Sequence, residues 1–204
     1  MTELSPPGRT LVLASGNPGK LRELNAMLDL LGWSVMPQSD WDVSEAVEDG
    51  LSFIENALIK ARHASKYTGL PALGDDSGLV VDVLNGAPGI YSSRFAGADA
   101  DDSMNNHKLL SVLKDVPESA RGAHFYCAMA LVRHAEDPAP LIATGRWDGR
   151  ILTIPAGAGG FGYDPLFRVP GQDCSSAELP AEIKNRLSHR GQALSEMVKQ
   201  MGSL

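Results

Sequence analysis

The sequence predicts an α/β fold, and three observations carry that prediction. Short apolar runs with strand character alternate with segments of helical periodicity, the junctions between them are rich in glycine and proline, and 43% of the 204 residues are hydrophobic. That length and composition suit one domain over residues 1–204, as a single globular unit or two closely packed lobes, with enough apolar side chain for a real core.

The elements follow in order. Thr10 to Ala14 (TLVLA) is strand-like and breaks at Ser15–Lys20 (SGNPGK); a helix is expected next, because Leu21, Leu24, Leu28 and Leu31 recur at helical spacing until Gly32 stops it. Ser52 followed by Glu55 announces a second helix by a capping-box pattern, running to Tyr67, with Phe53, Ala57, Ala61 and Ala64 on one small-residue face and Lys60 and Arg62 elsewhere. GDDSGL at 74–79 has the glycines and serine of a turn, and Leu79 to Leu84 reads as a strand. Gly86 to Gly97 is a turn-rich loop carrying Tyr91 and Arg94, Met104 to Leu113 a polar helix, and Phe125 to Val132 a buried strand. Leu141 to Leu152 reads as a hairpin turning at Asp148 and Gly149. Pro155 to Phe167 is too glycine-rich for an ordinary core element and fits a loop where backbone approaches a ligand, and a last helix runs from about Ser188 to Met201.

Composition narrows the function classes. A net charge of −7 argues against a nucleic-acid polymer as partner, which needs a broad basic face, but leaves room for a small anion held by local cations. Two cysteines, Cys127 and Cys174, are too few for a disulfide framework and point to a reducing compartment. The N-terminus lacks a basic stretch followed by an apolar one, and no apolar run reaches the roughly 18 residues of a spanning helix. A soluble, cytoplasmic protein that does not engage membranes is expected.

Chemistry concentrates in a few segments. Asp75 and Asp76 are adjacent carboxylates, costly together unless a cation or proton is supplied, which points to a divalent metal. On an extended strand the two would face opposite ways, whereas a turn lets both approach one ion; a solvated turn with an Asx hydrogen bond also fits the pair taken alone. The strand, the two-glycine loop and the helix around SGNPGK form a physical solution for holding phosphate on the exposed N–H groups of a helix start, with Lys20 as a point charge. A plain strand-to-helix connection fits that segment as well. The spacing is not that of a Walker A loop, since Leu21 stands where the magnesium-binding hydroxyl would be. Glu48 and Asp49 precede the second helix, where acids suit the helix N-terminus and either reaches toward a metal. Glu55 alone reads as a cap and Lys60 alone as a solvated side chain.

SGNPGK, FIENALIKARHA, GDDSGL, GAPGIYSSRF, GGFGYDPLF and SHRGQAL occur in this order over nearly the whole chain. Together they resemble the inosine triphosphate pyrophosphatase family, which removes aberrant purine nucleotides such as dITP, ITP and XTP. The resemblance implies a twisted mixed sheet flanked by helices, in two lobes with a nucleotide cleft between them, a magnesium ion, Mg2+, as cofactor, and a homodimer, although no interface is identifiable in the sequence. It implies a triphosphate loop of Ser15, Gly16, Asn17, Pro18, Gly19 and Lys20, with Asn17 and Lys20 touching phosphate; on charge alone Lys60 is a further, weaker candidate for a phosphate contact. Asp76 matches the proton acceptor and metal-associated acid, Asp75 its metal-supporting neighbour, Glu48 another metal-associated acid, and Ser77 a substrate contact. Phe161, Gly162, Tyr163, Asp164, Lys184, His189 and Arg190 match the base-recognition positions.

Elementary chemistry agrees. Cleaving a triphosphate between its α and β phosphates requires charge neutralisation on the bridging and leaving oxygens, and a carboxylate such as Asp76 to take a proton from water. Preference for a 6-oxo purine requires donors such as Arg190 and His189 at O6, where adenine would leave them unpaired, and Phe161 offers a stacking face. Two other classes share parts of the pattern. A pyrimidine nucleotide pyrophosphatase would differ at FGYD and SHRG, and a binding-only sensor would not need both Asp75 and Asp76.

Overall fold

The computed structural model describes residues 9–16, 18–28 and 33–202. Its strands are β1 (Arg9–Ala14), β2 (Trp33–Pro37), β3 (Ala72–Val81), β4 (Gly122–Val132), β5 (Leu141–Ile151) and β6 (Phe167–Arg168), in the sheet order β2-β1-β3-β4-β5-β6. The helices are α1 (Pro18–Leu28), α2 (Phe53–Thr68), α3 (Asp102–Val112), α4 (Ala181–Leu187) and α5 (His189–Met201). β1 pairs parallel with β2 and β3, and β5 pairs antiparallel with β6, so the sheet is mixed as expected. The expected end of the first helix, at Leu31 and Gly32, lies outside the described residues.

The chain forms two compact units: Met1–Asp76 with Ala128–Ala143 and Met197–Leu204, and Ser77–Cys127 with Thr144–Glu196. In the first, β1 has neighbours on both sides and Leu11, Val12 and Leu13 are fully buried, which is why its sequence is a continuous apolar run rather than an alternating one. α2 begins at Ser52, whose hydroxyl accepts the Glu55 N–H, and ends at Gly69, whose N–H reaches the Ser65 carbonyl. Its alanine face seats directly on β3: a Cβ on Gly74 would lie 2.1 Å from the Ala57 carbonyl oxygen. That close approach explains Gly74, and GDDSGL is accordingly the interior of the ten-residue strand β3 rather than a turn. Leu79 to Val81 belongs to the same strand, and Asp82–Leu84 is a 3-10 turn.

The second unit is organised around Phe167, fully buried, with the Phe125 ring centroid 4.6 Å away and that of Trp147 5.2 Å away. Here the hairpin expected at Asp148 and Gly149 does not form. Burial alternates through Ala143, Thr144, Gly145, Arg146, Trp147 and Asp148 with the period of a single half-buried strand, so β5 continues to Ile151. Gly149 is again a close approach, because a Cβ there would meet the Phe167 ring at 2.4 Å. A short helix, α4, precedes the last one. No helix among the described residues is long and apolar enough to cross a membrane.

Candidate active site

In the first unit the chain runs from β1 through α1 to β2 on one side, and from β2 through α2 back across to β3 on the other side of β1, so the strand order reverses at β1. Ligands in open α/β sheets bind outside the carboxyl ends of parallel strands at such a switch point. The β1–β3 register ends at Ala14 opposite Gly74, so Ser15 and Asp75 are the next residues along the two strands. α1 starts at Pro18, which places Ser15 and Gly16 in the connection and Gly19 and Lys20 in the helix's first turn. Asn17 lies outside the described residues.

The two acids divide because they stand on a strand. Asp75 is fully buried and its carboxylate meets the Lys20 ammonium at 2.5 Å, while the same ammonium donates to the Asp75 carbonyl at 3.3 Å. Asp76 faces α2: its Oδ1 is 2.7 Å from Lys60 Nζ, and its Oδ2 accepts from Asn56 Nδ2 at 3.3 Å. The Lys60 ammonium also reaches Glu48 Oε2 at 3.3 Å, so Asp76 and Glu48 converge on one cation, whereas Asp49 is exposed. Lys60 is therefore not the solvated side chain its helix position suggests; its side chain is only 11% exposed. Burial disfavours its charged form, but the neighbouring carboxylates outweigh that and raise its pKa. Asp76 is pushed up from the ordinary aspartate value by burial, with Lys60 pulling the other way.

Asn56 is the functional residue that sequence reasoning missed. It is fully buried, positions Asp76 through Nδ2, and takes the Gly50 N–H on its Oδ1 at 2.9 Å, tying the Glu48 loop to the same helix. Its signal was present: position 56 falls beside Ala57 and three residues after Phe53, on the buried side of α2, where an amide needs polar partners.

Among the described residues no cluster of three or more His, Cys, Asp or Glu is arranged to hold a metal ion. A pair of carboxylates already sharing a cation nevertheless fits magnesium, which takes one or two protein carboxylates and fills its other positions with water and phosphate oxygens. Asp76 and Glu48 would hold it; Asp75 is engaged with Lys20.

The second unit carries the remaining predicted residues. Two cations stand over the Phe161 ring, with Lys184 Nζ 5.1 Å and Arg190 Cζ 5.5 Å from its centroid. Asp164 is buried, its Oδ2 accepting from Lys184 Nζ at 2.7 Å and from the Phe161 N–H at 2.9 Å, and its Oδ1 from Ser176 Oγ at 2.7 Å. Arg190 donates to Ser77 Oγ at 2.9 Å. His189 stacks on Phe125 with centroids 4.8 Å apart and planes 13° apart. Tyr163 turns into the core, its hydroxyl donating to the Ser92 carbonyl at 2.8 Å, and burial raises its pKa far above the ordinary tyrosine value. Gly162, half-buried beside Phe161, is held by α3 through Asp102 and Asn106.

A loop between a parallel strand and a helix, beside a buried carboxylate that shares a cation, is an arrangement in which α/β proteins hold phosphoryl groups. The chain belongs to the Ham1 family, which it matches over residues 11–200. It is 54% identical over 191 residues to a dITP/XTP pyrophosphatase of Vibrio cholerae, covering 94% of this chain and 96% of that protein. It is also 56% identical over 184 residues to a dITP/XTP pyrophosphatase of Escherichia coli K12, covering 90% and 93%. Among solved structures, a HAM1 protein from Coxiella burnetii superposes with a TM-score of 0.89 at 47% identity, covering 96% of this chain and 99% of that one.

Proposed function

We propose that the protein hydrolyses aberrant purine nucleoside triphosphates, dITP, ITP and XTP, to the nucleoside monophosphate and pyrophosphate, and so cleans the nucleotide pool. Relatives above half identity bear the name dITP/XTP pyrophosphatase. The structural observation that carries the reading is the convergence of the buried Asp76 and of Glu48 on one cation, at 2.7 and 3.3 Å. The whole chain acts as one pyrophosphatase domain.

Asp76 is the proton acceptor. A water gives its proton to Asp76 as its oxygen bonds to phosphorus at the α–β bridge; the bond from that phosphorus to the bridging oxygen breaks, and monophosphate and pyrophosphate separate. Burial, which raises the Asp76 pKa, makes its carboxylate a stronger base than an exposed aspartate. Asp76 and Glu48 would hold magnesium, which would supply charge neutralisation to the phosphate oxygens. Lys20, Lys60 and the Ser15–Lys20 loop, Asn17 included, hold the phosphate oxygens, and Asp75 fixes Lys20. Ser77 touches the substrate. Phe161 stacks on the base, Lys184, His189 and Arg190 donate to its oxo groups, and Gly162, Tyr163 and Asp164 shape the pocket. The enzyme works as a cytoplasmic homodimer and takes no nucleic-acid polymer.

The test is turnover of ITP, dITP, XTP, ATP, GTP and dTTP with magnesium, reading pyrophosphate and orthophosphate separately. Pyrophosphate from the first three in preference to the others is expected. Equal turnover of ATP and ITP overturns the specificity, orthophosphate as first product overturns the cleavage position, and binding without turnover makes the protein a sensor.

A further inference from the structure

The glycine-rich segment that carries Phe161 is held on one side by residues 165 and 175–177, through the Ala156 N–H on the Pro165 carbonyl, the Gly159 N–H on the Ala177 carbonyl and the Ser175 hydroxyl on the Ala156 carbonyl. Residues 153–155 and 157–160 are exposed, and a cavity of about 370 Å³, lined by Leu110, Pro155 and Phe161 among others, lies between this segment and α3. What ties the segment to the helix is polar. Asp102 Oδ2 accepts the Gly162 N–H at 2.7 Å, and Asn106 Nδ2 donates to the Gly162 carbonyl at 2.8 Å.

These contacts are not by-products of helix formation. The N-cap of α3 is Asp101, whose carboxylate takes the Met104 N–H at 2.7 Å, so Asp102 is spare for the loop. Asn106 follows one turn later on the same face and places a second amide hydrogen on the Asp102 carbonyl at 2.7 Å, which fixes its rotamer. The peptide groups on both sides of the Gly162 Cα are thus gripped from one helix face. Phe161 is the preceding residue, and its N–H is held by Asp164.

We propose that Asp102 and Asn106 are positioning residues for recognition of the purine base: by gripping Gly162 they fix where the Phe161 ring stands over Lys184 and Arg190. The inference rests on the assignment of Phe161 to the base. It places two further residues behind substrate selection without giving either a contact with the nucleotide.

The test compares Asp102→Ala, Asp102→Asn, Asn106→Ala and Phe161→Ala in the full chain, by kcat and KM for dITP, the ITP to ATP ratio of kcat/KM, and amide hydrogen exchange at Gly162. Asp102→Ala and Asn106→Ala should raise KM for dITP by about five- to tenfold and lower the ITP to ATP ratio, with kcat within about twofold. Asp102→Asn keeps an oxygen for the Gly162 N–H and should return KM to within about twofold of the parent. Gly162 exchange should rise at least about tenfold in Asp102→Ala and recover in Asp102→Asn. If Phe161→Ala raises KM while the two alanine variants on α3 do not, the positioning role is overturned and the base assignment stands. If Phe161→Ala changes neither KM nor the ratio, the base assignment itself fails, whatever exchange at Gly162 shows. A fall in kcat at constant KM, unrescued by Asp102→Asn, marks a general folding role and also overturns the inference.

Discussion

Two buried aspartate–lysine pairs, one in each unit, have the same 2.7 Å contact and opposite surroundings. Asp164 spends both oxygens: Lys184, the Phe161 N–H and Ser176 surround it at 2.7 to 2.9 Å. Asp76 shares its lysine with Glu48, and among the described residues its second oxygen has a single 3.3 Å contact, from Asn56. A carboxylate offers about four acceptor positions, so the first is close to saturated and the second retains capacity for a proton or a metal. Burial and ion pairing alone therefore do not distinguish a strut from a reactive group; the number and quality of remaining hydrogen bonds do.

Asp76→Asn gives the largest expected effect. Losing a general base lowers kcat by about 10²- to 10⁴-fold, with nucleotide binding largely kept and stability changed by under about 1 kcal/mol. Wild-type rates in this variant would remove Asp76 from the chemistry. Asp164→Ala should do the reverse in kind, stranding the buried Lys184 charge and costing roughly 3–5 kcal/mol in urea unfolding. An Asp164→Leu, Lys184→Met double variant should regain most of that stability; equal losses for Asp76→Asn and Asp164→Ala would break the contrast. Asn56→Ala tests the weak side of Asp76 and should lower kcat about tenfold while costing about 1–3 kcal/mol through the Gly50 N–H left without its acceptor.

The smallest effect belongs to a third pair. Asp137 accepts from the Arg133 side chain and from the Arg133 and Ala139 N–H groups, and these hold its carboxyl well below the usual aspartate range. A depressed carboxyl stabilises the fold above its unfolded pKa, near 3.9, and loses that contribution as pH falls through the folded value. The melting-temperature gap between the parent and Asp137→Asn should therefore be constant from pH 7 to about 5 and close progressively below about 4. A gap that widens on acidification would mean the ion pair is not what Asp137 contributes.

Much of this was legible in the sequence. The β1–loop–α1 unit and the Ser52 start of α2 appear where their periodicity and capping signals put them, because those signals are local. The glycines misled twice for one reason. Gly74 and Gly149 read as turn residues, yet both sit inside strands where another element presses against the backbone, Ala57 in one case and Phe167 in the other. That information is tertiary and absent from any short window. The alternation of Thr144, Arg146, Asp148 and Arg150 with Ala143, Gly145, Trp147 and Ile151 was visible, and it outweighs an Asp-Gly pair. The split of Asp75 from Asp76 followed once the strand replaced the turn. Asn56 was readable from its place on the buried side of α2, whereas Asp102 and Asn106 stayed hidden because asparagine and aspartate on a helix ordinarily face water, and only the packing of the Gly162 loop gives them their tasks.

Lys60 has one further consequence. Since the ammonium that joins Asp76 to Glu48 is covalently part of α2, two acids that would otherwise repel are compensated as soon as the helix docks, whatever the ionic content of the solution. The protein carries one positive charge of its own at this corner, set between the two acids by the helix itself.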